Sequence, residues 1–399
     1  MSFHMLTRSS VIAVLLSALL FSCEKGEKIE PDFYACSFTH ADSSASHPDR
    51  SSYQGLLQAM TGEGVPGVLM SVNDPVHGEW NGAEGMADLF NRYPMRPCNI
   101  SRLGSTVKTF TATTIMLLQE EGKLHLDDRI AEHLSGDPID RLANADQVTI
   151  RQCLQHSSGI PNYIASAQFQ TASLNDLIRV WHPEDLLAYA YDKPADFDPG
   201  SDVRYSNTPY ILLGMLIEHI EGKPFYQVFD EKLFGPLGLS SMRFAATDNV
   251  PDGIVRGYVD FYSNLNVIES TYYSGWDYFT ADGGLIGNPH DLGSFLRALA
   301  GGQVINAASL AEMTTWRAPS ETDDAFFPIQ YGLGIFRMET PWGEAWFHSG
   351  DAIGYYACMA YFPTQGTSIT WAVNGNYGLI DEATQTRTAM ERIFGTVLP

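Results

Sequence analysis

The amino-acid sequence predicts an α/β (α+β) fold in which a mainly antiparallel sheet, flanked by helices, carries an inserted helical lobe. Two observations lead there. Strand patterning is confined to the two ends of the chain, and helical spacing fills the middle. One sheet assembled from both ends, with a lobe between them, leaves a groove that is the default place for a small-molecule site.

The elements follow in order. Residues 50–60 suit a helix. Gly67–Val72 and Glu79–Ala87 are apolar stretches separated by the turn residues Asn73, Asp74 and Pro75, which predicts a hairpin. From Thr106 to about Ala300 helical signals dominate. Ile115, Met116, Leu117 and Leu118 belong to a helix over Ser105–Gln119, and Leu212, Leu213, Leu216, Ile217 and Ile220 keep helical spacing in another. Pro289 introduces a third over Asp291–Leu299. Beyond Gln330 the period becomes that of strands, at Tyr331–Met338, Ala345–Phe347, Tyr355–Phe362 and Thr367–Val373. A helix from about Asp381 to Phe394 closes the chain. The sheet is therefore expected from about residues 50–104 and 325–397, and the lobe from about 105–324.

The N-terminus reads as an address. Arg8 is the only Lys, Arg, Asp or Glu before an apolar run from Val11 to Phe21, too short to span a bilayer but suited to a signal-peptide core. Leu20-Phe21-Ser22-Cys23 resembles the lipobox of bacterial lipoproteins, which implies a cleaved signal peptide over residues 1–22 and acylation of Cys23. Ordinary secretion with cleavage nearby is the alternative. Residues 23–49, rich in Ser, Asp and Glu, read as a solvated tether, and 50–397 as the catalytic domain. The protein is expected to be exported and lipid-anchored in the cell envelope. Of the five cysteines, Cys36, Cys98, Cys153 and Cys358 remain, either oxidised in pairs such as Cys36–Cys98 or buried as free thiols.

Charge excludes some partners. With 24 Lys+Arg against 47 Asp+Glu, a net charge of −23 repels nucleic-acid phosphates and anionic lipid. Contact with a membrane is expected only through the N-terminal lipid. No His-x-His or His-Glu-x-x-His spacing, Gly-rich phosphate loop or dinucleotide fingerprint occurs, so neither metal nor cofactor is expected.

Three short patterns carry chemistry. Ser105 and Lys108 form Ser-x-x-Lys at a helix start, where i, i+3 spacing puts both side chains on one face. A hydroxyl becomes a nucleophile when a nearby amine takes its proton, and the helix N-terminus favours charge on oxygen. Alone the pattern is cheap: Ser22–Lys25 matches too, and a plain helix-start serine beside a surface lysine would look the same. Tyr205-Ser206-Asn207 follows Asp198-Pro199-Gly200; a tyrosine with a lowered pKa can shuttle protons and an amide can hold a substrate carbonyl. It has a decoy in Tyr262-Ser263-Asn264. His348-Ser349-Gly350 sits where a strand ends; on an edge strand its backbone can pair with a peptide-like substrate, although a lone histidine is more often structural.

Order and spacing give the patterns weight. Ser-x-x-Lys, then Tyr-x-Asn about a hundred residues on, then His-x-Gly on a late strand resemble the serine β-lactamase and penicillin-binding-protein family, especially class C β-lactamases, D-alanyl-D-alanine carboxypeptidases and related esterases. The stretches Leu154–Pro161, Pro236–Leu239, Gly283–Leu285, Tyr331–Gly334 and His348–Tyr355 support it, from about Arg50 to Gly395. The resemblance implies a β-lactamase/transpeptidase-like fold. It makes Ser105 the acylated nucleophile, Lys108 its proton acceptor and Tyr205 the shuttle to leaving group and water. Asn207 would bind the substrate amide. His348 stands where class C enzymes have lysine, Gly350 admits substrate to the strand beside Ser349, and the N–H groups of Ser105 and Asp351 form the oxyanion hole.

Two departures bear on substrate. Histidine replaces the lysine of the third motif, which weakens a carboxylate grip. The carboxypeptidases of this type carry an arginine soon after Tyr-Gly-x-Gly; here Phe336 holds that place and Arg337 follows, and a one-residue shift on a strand sends a side chain to the other face. Tyr163, Tyr272, Tyr273, Trp276, Tyr278 and Phe279 crowd the expected rim, as an acyl pocket or as lobe packing. The function expected is a serine hydrolase working through an acyl-enzyme on a small-molecule or peptidoglycan-peptide substrate. D-alanyl-D-alanine carboxypeptidase-like activity comes first, with an esterase, D-amino-acid amidase or β-lactamase as alternatives. A non-catalytic penicillin- or peptide-binding sensor lipoprotein is the reading from another class.

Overall fold

A computed structural model of the chain describes residues 34–38, 43–247, 250–273, 280–322 and 326–398. The expected signal peptide, Cys23 and the first part of the tether lie outside the described residues, as do Trp276, Tyr278 and Phe279. Helix α1 (Arg50–Gly62) buries Tyr53, Leu56, Leu57 and Met60, an i, i+3, i+4, i+7 stripe that faces the sheet. The hairpin follows as β1 (Gly67–Asp74) and β2 (Gly78–Asp88). Its turn closes because Asp74 Oδ1 accepts the N–H groups of Val76 (2.8 Å) and His77 (2.7 Å). After β3 (Tyr93–Pro94), the chain leaves the sheet for the lobe.

It returns as β4 (Ile329–Tyr331), β5 (Phe336–Thr340), β6 (Gly343–Ala352), β7 (Tyr355–Phe362) and β8 (Thr367–Val373). The order β3-β2-β1-β8-β7-β6-β5-β4 is antiparallel throughout, and β8 pairs with β1, Val373 opposite Val68. The last strand is thereby sewn to the first. Helices α2 (Val107–Glu120), α3 (Thr208–Glu221) and α4 (Pro289–Ala300) pack on the lobe side. Helix α5 (Arg387–Val397) joins α1 on the other, so a core lies on each face of the sheet.

Besides the helix start at Ser105, three expected elements differ. The strand expected over Tyr331–Met338 breaks at residues 332–335, where the Gly332 N–H bonds the Ile335 carbonyl at 2.8 Å and Gly334 adopts φ +70°. A Cβ on Gly334 would lie 2.4 Å from the Ala112 side chain, so close packing on α2 dictates the break. The strand expected to end at Phe347 continues to Ala352 and contains His348. The closing helix is two, Gly378–Thr384 and α5.

Cys36 and Cys98 form a disulfide, with Cα atoms 5.8 Å apart; Cys153 and Cys358 are free and buried. No helix among the described residues is long and apolar enough to cross a membrane.

Candidate active site

Ser105 does not belong to the helix expected for it. It sits in the 3-10 turn Gly104–Thr106, and α2 begins at Val107. The reason is Gly104, whose φ of +51° turns the backbone away from a continuous helix. Ser105 is partly exposed, whereas Lys108, one turn on, is fully buried. Lys108 Nζ donates to Ser105 Oγ at 2.9 Å and to the Asp282 carbonyl at 2.5 Å, and Ser105 Oγ donates to the same carbonyl at 3.4 Å. The rings of Tyr205 and Tyr210 lie 5.1 and 5.5 Å from the amine.

Tyr205 enters from the loop before α3. Its pKa is not lowered as expected for the shuttle role: burial pushes the phenol well above the usual range, and a hydrogen bond with the Ser105 side chain draws it only partly back. His156 holds this loop from both sides. Its carbonyl accepts the Arg204 N–H at 2.9 Å, its Nδ1 accepts the Ser206 N–H at 3.2 Å, and its ring stacks on Tyr205 at 4.5 Å. Burial, followed by the charge of Lys108, keeps His156 neutral. Asn207 is buried at the start of α3, with its N–H and side-chain amide directed at Asn162 Oδ1 (3.3 and 3.4 Å). The sequence patterns had assigned no role to His156 or Asn162, although Leu154–Pro161 pointed at the segment.

The third motif lies on β6. Pairing with β5 ends at Phe336–Phe347, so His348–Ala352 keep β7 as partner on one side and present a free edge toward the Ser105 turn. There the two backbones touch. A Cβ on Gly350 would lie 2.5 Å from the Ser105 nitrogen, and one on Gly104 would lie 2.9 Å from the Asp351 nitrogen. The two peptide nitrogens expected to form an oxyanion hole thus meet at one glycine-lined seam.

Side chains on β6 alternate. The Ser349 hydroxyl bonds Tyr356, and the Asp351 carboxylate accepts from Gln385 at 3.2 Å, so both turn toward the terminal helices and offer the groove only backbone. His348 is buried the other way. Its Nδ1 donates to the Ser349 carbonyl at 2.7 Å, the tautomer that leaves Nε2 an acceptor. Nε2 has no hydrogen-bond partner among the described residues. Burial and the Lys108 charge pull His348 down to about 3, so it is a neutral group at working pH.

Phe336 packs its ring 4.8 Å from His348, and Arg337 is held outside by Glu344 (2.8 Å) and Glu339 (3.4 Å). No bulge returns Arg337 to the groove. Of the rim aromatics described, Tyr163 is buried against Phe169 and donates to Asp282 Oδ2 at 3.2 Å, while Tyr272 is exposed and donor to no groove group, its oxygen accepting from Arg256 at 2.9 Å. Among the described residues no group of three or more His, Cys, Asp or Glu is arranged to hold a metal ion. A serine activated by a buried amine, facing a phenol and two adjacent peptide nitrogens, is equipped for acyl transfer.

Comparison with known proteins gives that arrangement its kin. The family described as Beta-lactamase matches residues 54–391. The chain belongs to the beta-lactamase family. Among its relatives, penicillin-binding protein 4* of Bacillus subtilis (strain 168) is 27% identical over 334 residues, 78% of this chain and 68% of that protein. A putative D-alanyl-D-alanine carboxypeptidase of Escherichia coli (strain K12) is 28% identical over 272 residues, and the match spans 60% of each protein's length. Among solved structures, a D-stereospecific amidohydrolase from Streptomyces sp. is 30% identical with a TM-score of 0.73, covering 85% of this chain and 99% of that one. The D-amino acid amidase from Ochrobactrum anthropi SV3 is 25% identical with a TM-score of 0.77, over 88% of this chain and 98% of that one. This beta-lactamase-family protein is a serine hydrolase with the mainly antiparallel sheet and flanking helices of that fold.

Proposed function

We propose that this serine hydrolase forms an acyl-enzyme on Ser105 with D-alanyl-D-alanine-like or penicillin-like acyl donors. The observation that carries the proposal is the 2.9 Å contact of the buried Lys108 Nζ with Ser105 Oγ, with the Tyr205 phenol on the same hydroxyl. Lys108 accepts the Ser105 proton as Oγ attacks the carbonyl, and Tyr205 passes a proton to the leaving group and later orients water. The N–H groups of Ser105 and Asp351 stabilise the oxyanion. Asn207 binds the substrate amide, and the free edge of β6 at Ser349 and Gly350 pairs with an extended substrate. His348 and Phe336 form an uncharged wall.

A second reading has its own observation. With Phe336 facing His348 and Arg337 tied to Glu344, no arginine of this segment reaches a substrate's terminal carboxylate. That favours D-aminoacyl amides, whose leaving group is uncharged, and the 30% identical D-stereospecific amidohydrolase supports it.

The proposal includes the chain's address. Residues 1–22 are a lipoprotein signal peptide and Cys23 is the acylated residue, so that a lipid holds the enzyme in the cell envelope near peptidoglycan peptides. The tether expected over 23–49 stops short of Tyr34, which is buried in the core, and of Cys36, which is bonded to Cys98, so these residues belong with the catalytic domain of 50–397. The Cys36–Cys98 disulfide supports export, since such bonds persist in oxidising compartments.

Intact-mass spectrometry after incubation with benzylpenicillin, beside hydrolysis assays on D-alanyl-D-alanine and D-alaninamide, tests the enzymology. A penicilloyl adduct or turnover that disappears in Ser105→Ala is expected. Unchanged behaviour of Ser105→Ala in every assay would overturn it.

A further inference from the structure

Asp282 takes part in the site twice. Its carbonyl receives both Lys108 Nζ (2.5 Å) and Ser105 Oγ (3.4 Å). Its side chain is also buried: Oδ2 accepts from the Tyr163 phenol at 3.2 Å, and the Thr280 side chain bonds the same carboxyl. Burial raises this carboxyl, and the Lys108 charge is the largest influence bringing it back down. Four other described groups near the amine are uncharged at neutral pH. Tyr205 and Tyr210 are phenols raised by burial, and His156 and His348 are imidazoles held neutral by burial and by Lys108 itself. Of all these groups, only Asp282 can carry a negative charge there.

We propose that Asp282 is a positioning residue of the acylation step: its carbonyl fixes Lys108 against Ser105, and its carboxylate is the counter-charge of the Lys108 ammonium. The inference rests on the acyl-enzyme function proposed above. In that step the Ser105 proton moves to the neutral Lys108 amine as the Oγ–C bond forms. The proton then leaves with the departing group as its bond to carbon breaks. A carboxylate beside the amine favours its charged form, so the enzyme must reach a higher pH before Lys108 is free to act.

The second-order rate of Ser105 acylation by p-nitrophenyl acetate, followed from pH 4 to pH 9, tests this. In Asp282→Asn the acid limb is expected to move to lower pH by about one unit, and Asp282→Glu should return it toward wild type. Tyr163→Phe keeps the carboxylate and its Thr280 contact but removes the hydrogen bond from the phenol. It should shift the limb the same way by less, and it stands in if Asp282→Asn does not fold, as judged by its melting temperature. Superimposable limbs for wild type and the variants, whether or not the rates fall, would sink the assignment. If the wild type itself is acylated no faster than Ser105→Ala, the acyl-enzyme proposal fails first, a result distinct from equal limbs.

Discussion

Phe336 and Arg337 are neighbours in sequence and face different chemistry: the Phe336 ring lies 4.8 Å from His348, while the Arg337 guanidinium is 2.8 Å from Glu344. Arg337 lies opposite Trp346, one step further along β6 from the third motif than Phe336, and its ion pairs with Glu344 and Glu339 hold it away from His348. Phe336→Arg should raise kcat/KM on D-alanyl-D-alanine relative to D-alaninamide by about tenfold, since a charge-assisted hydrogen bond contributes roughly 1.5–3 kcal/mol. Arg337→Gln should leave that ratio within about twofold, because its ion pairs are partly exposed. An equal change in the two ratios would count against this placement of the two side chains.

Lys108 offers a sharper test of chemistry. Lys108→Ala should slow acylation by about 10²–10⁴-fold, the usual range for a lost general base. Lys108→Arg should not rescue it, because a guanidinium does not release its proton. Stopped-flow acylation with a chromogenic ester gives the rates, and wild-type speed in either variant would remove Lys108 from the mechanism.

His348 ties stability to pH. Its folded value of about 3 lies below the unfolded value near 6.5, so the unfolded chain binds the extra proton between them. Its contribution is fully present above that window and is lost as pH falls through it. At pH 4.5 the lost stability amounts to about 2–3 kcal/mol, and His156 adds in the same direction. Urea unfolding at pH 7 and pH 4.5 should show this drop, and His348→Gln should reduce it. An undiminished drop in the variant would show that other groups cause the acid loss.

The Cys36–Cys98 bond spans a sequence separation of 62 residues. Its reduction should destabilise the fold by about 2–4 kcal/mol, chiefly by freeing the unfolded chain. A melting temperature unmoved by dithiothreitol, with free thiols confirmed by alkylation, would contradict this.

The gross plan was legible because it depends on pattern. The short runs Tyr355–Phe362 and Thr367–Val373, buried almost throughout because a core covers each face of the sheet, and the helical spacing at Leu212, Leu213 and Leu216 are carried by residue type. Ser105, Lys108, Tyr205 and His348 were findable because their order is informative even where each triplet is common. The displacement of Ser105 into a turn, and the break at residues 332–335, depend on close approaches at Gly104 and Gly334 that no local propensity encodes. His156 and Asp282 were missed for a related reason. Their partners in the site lie about 50 residues away for His156 and 119 to 177 for Asp282, and no local spacing marks such contacts. A polar residue placed beside the Gly283-Gly284 turn was the one available signal for Asp282.

At the glycine-lined seam the sheet and the helical lobe meet through peptide groups, with no side chain between them. Side chains absorb small misalignments by changing rotamer, whereas two abutting backbones have no such slack. The nucleophile therefore sits where any relative displacement of the two halves is transmitted undamped, and the enzyme's activity doubles as a gauge of how well they are registered.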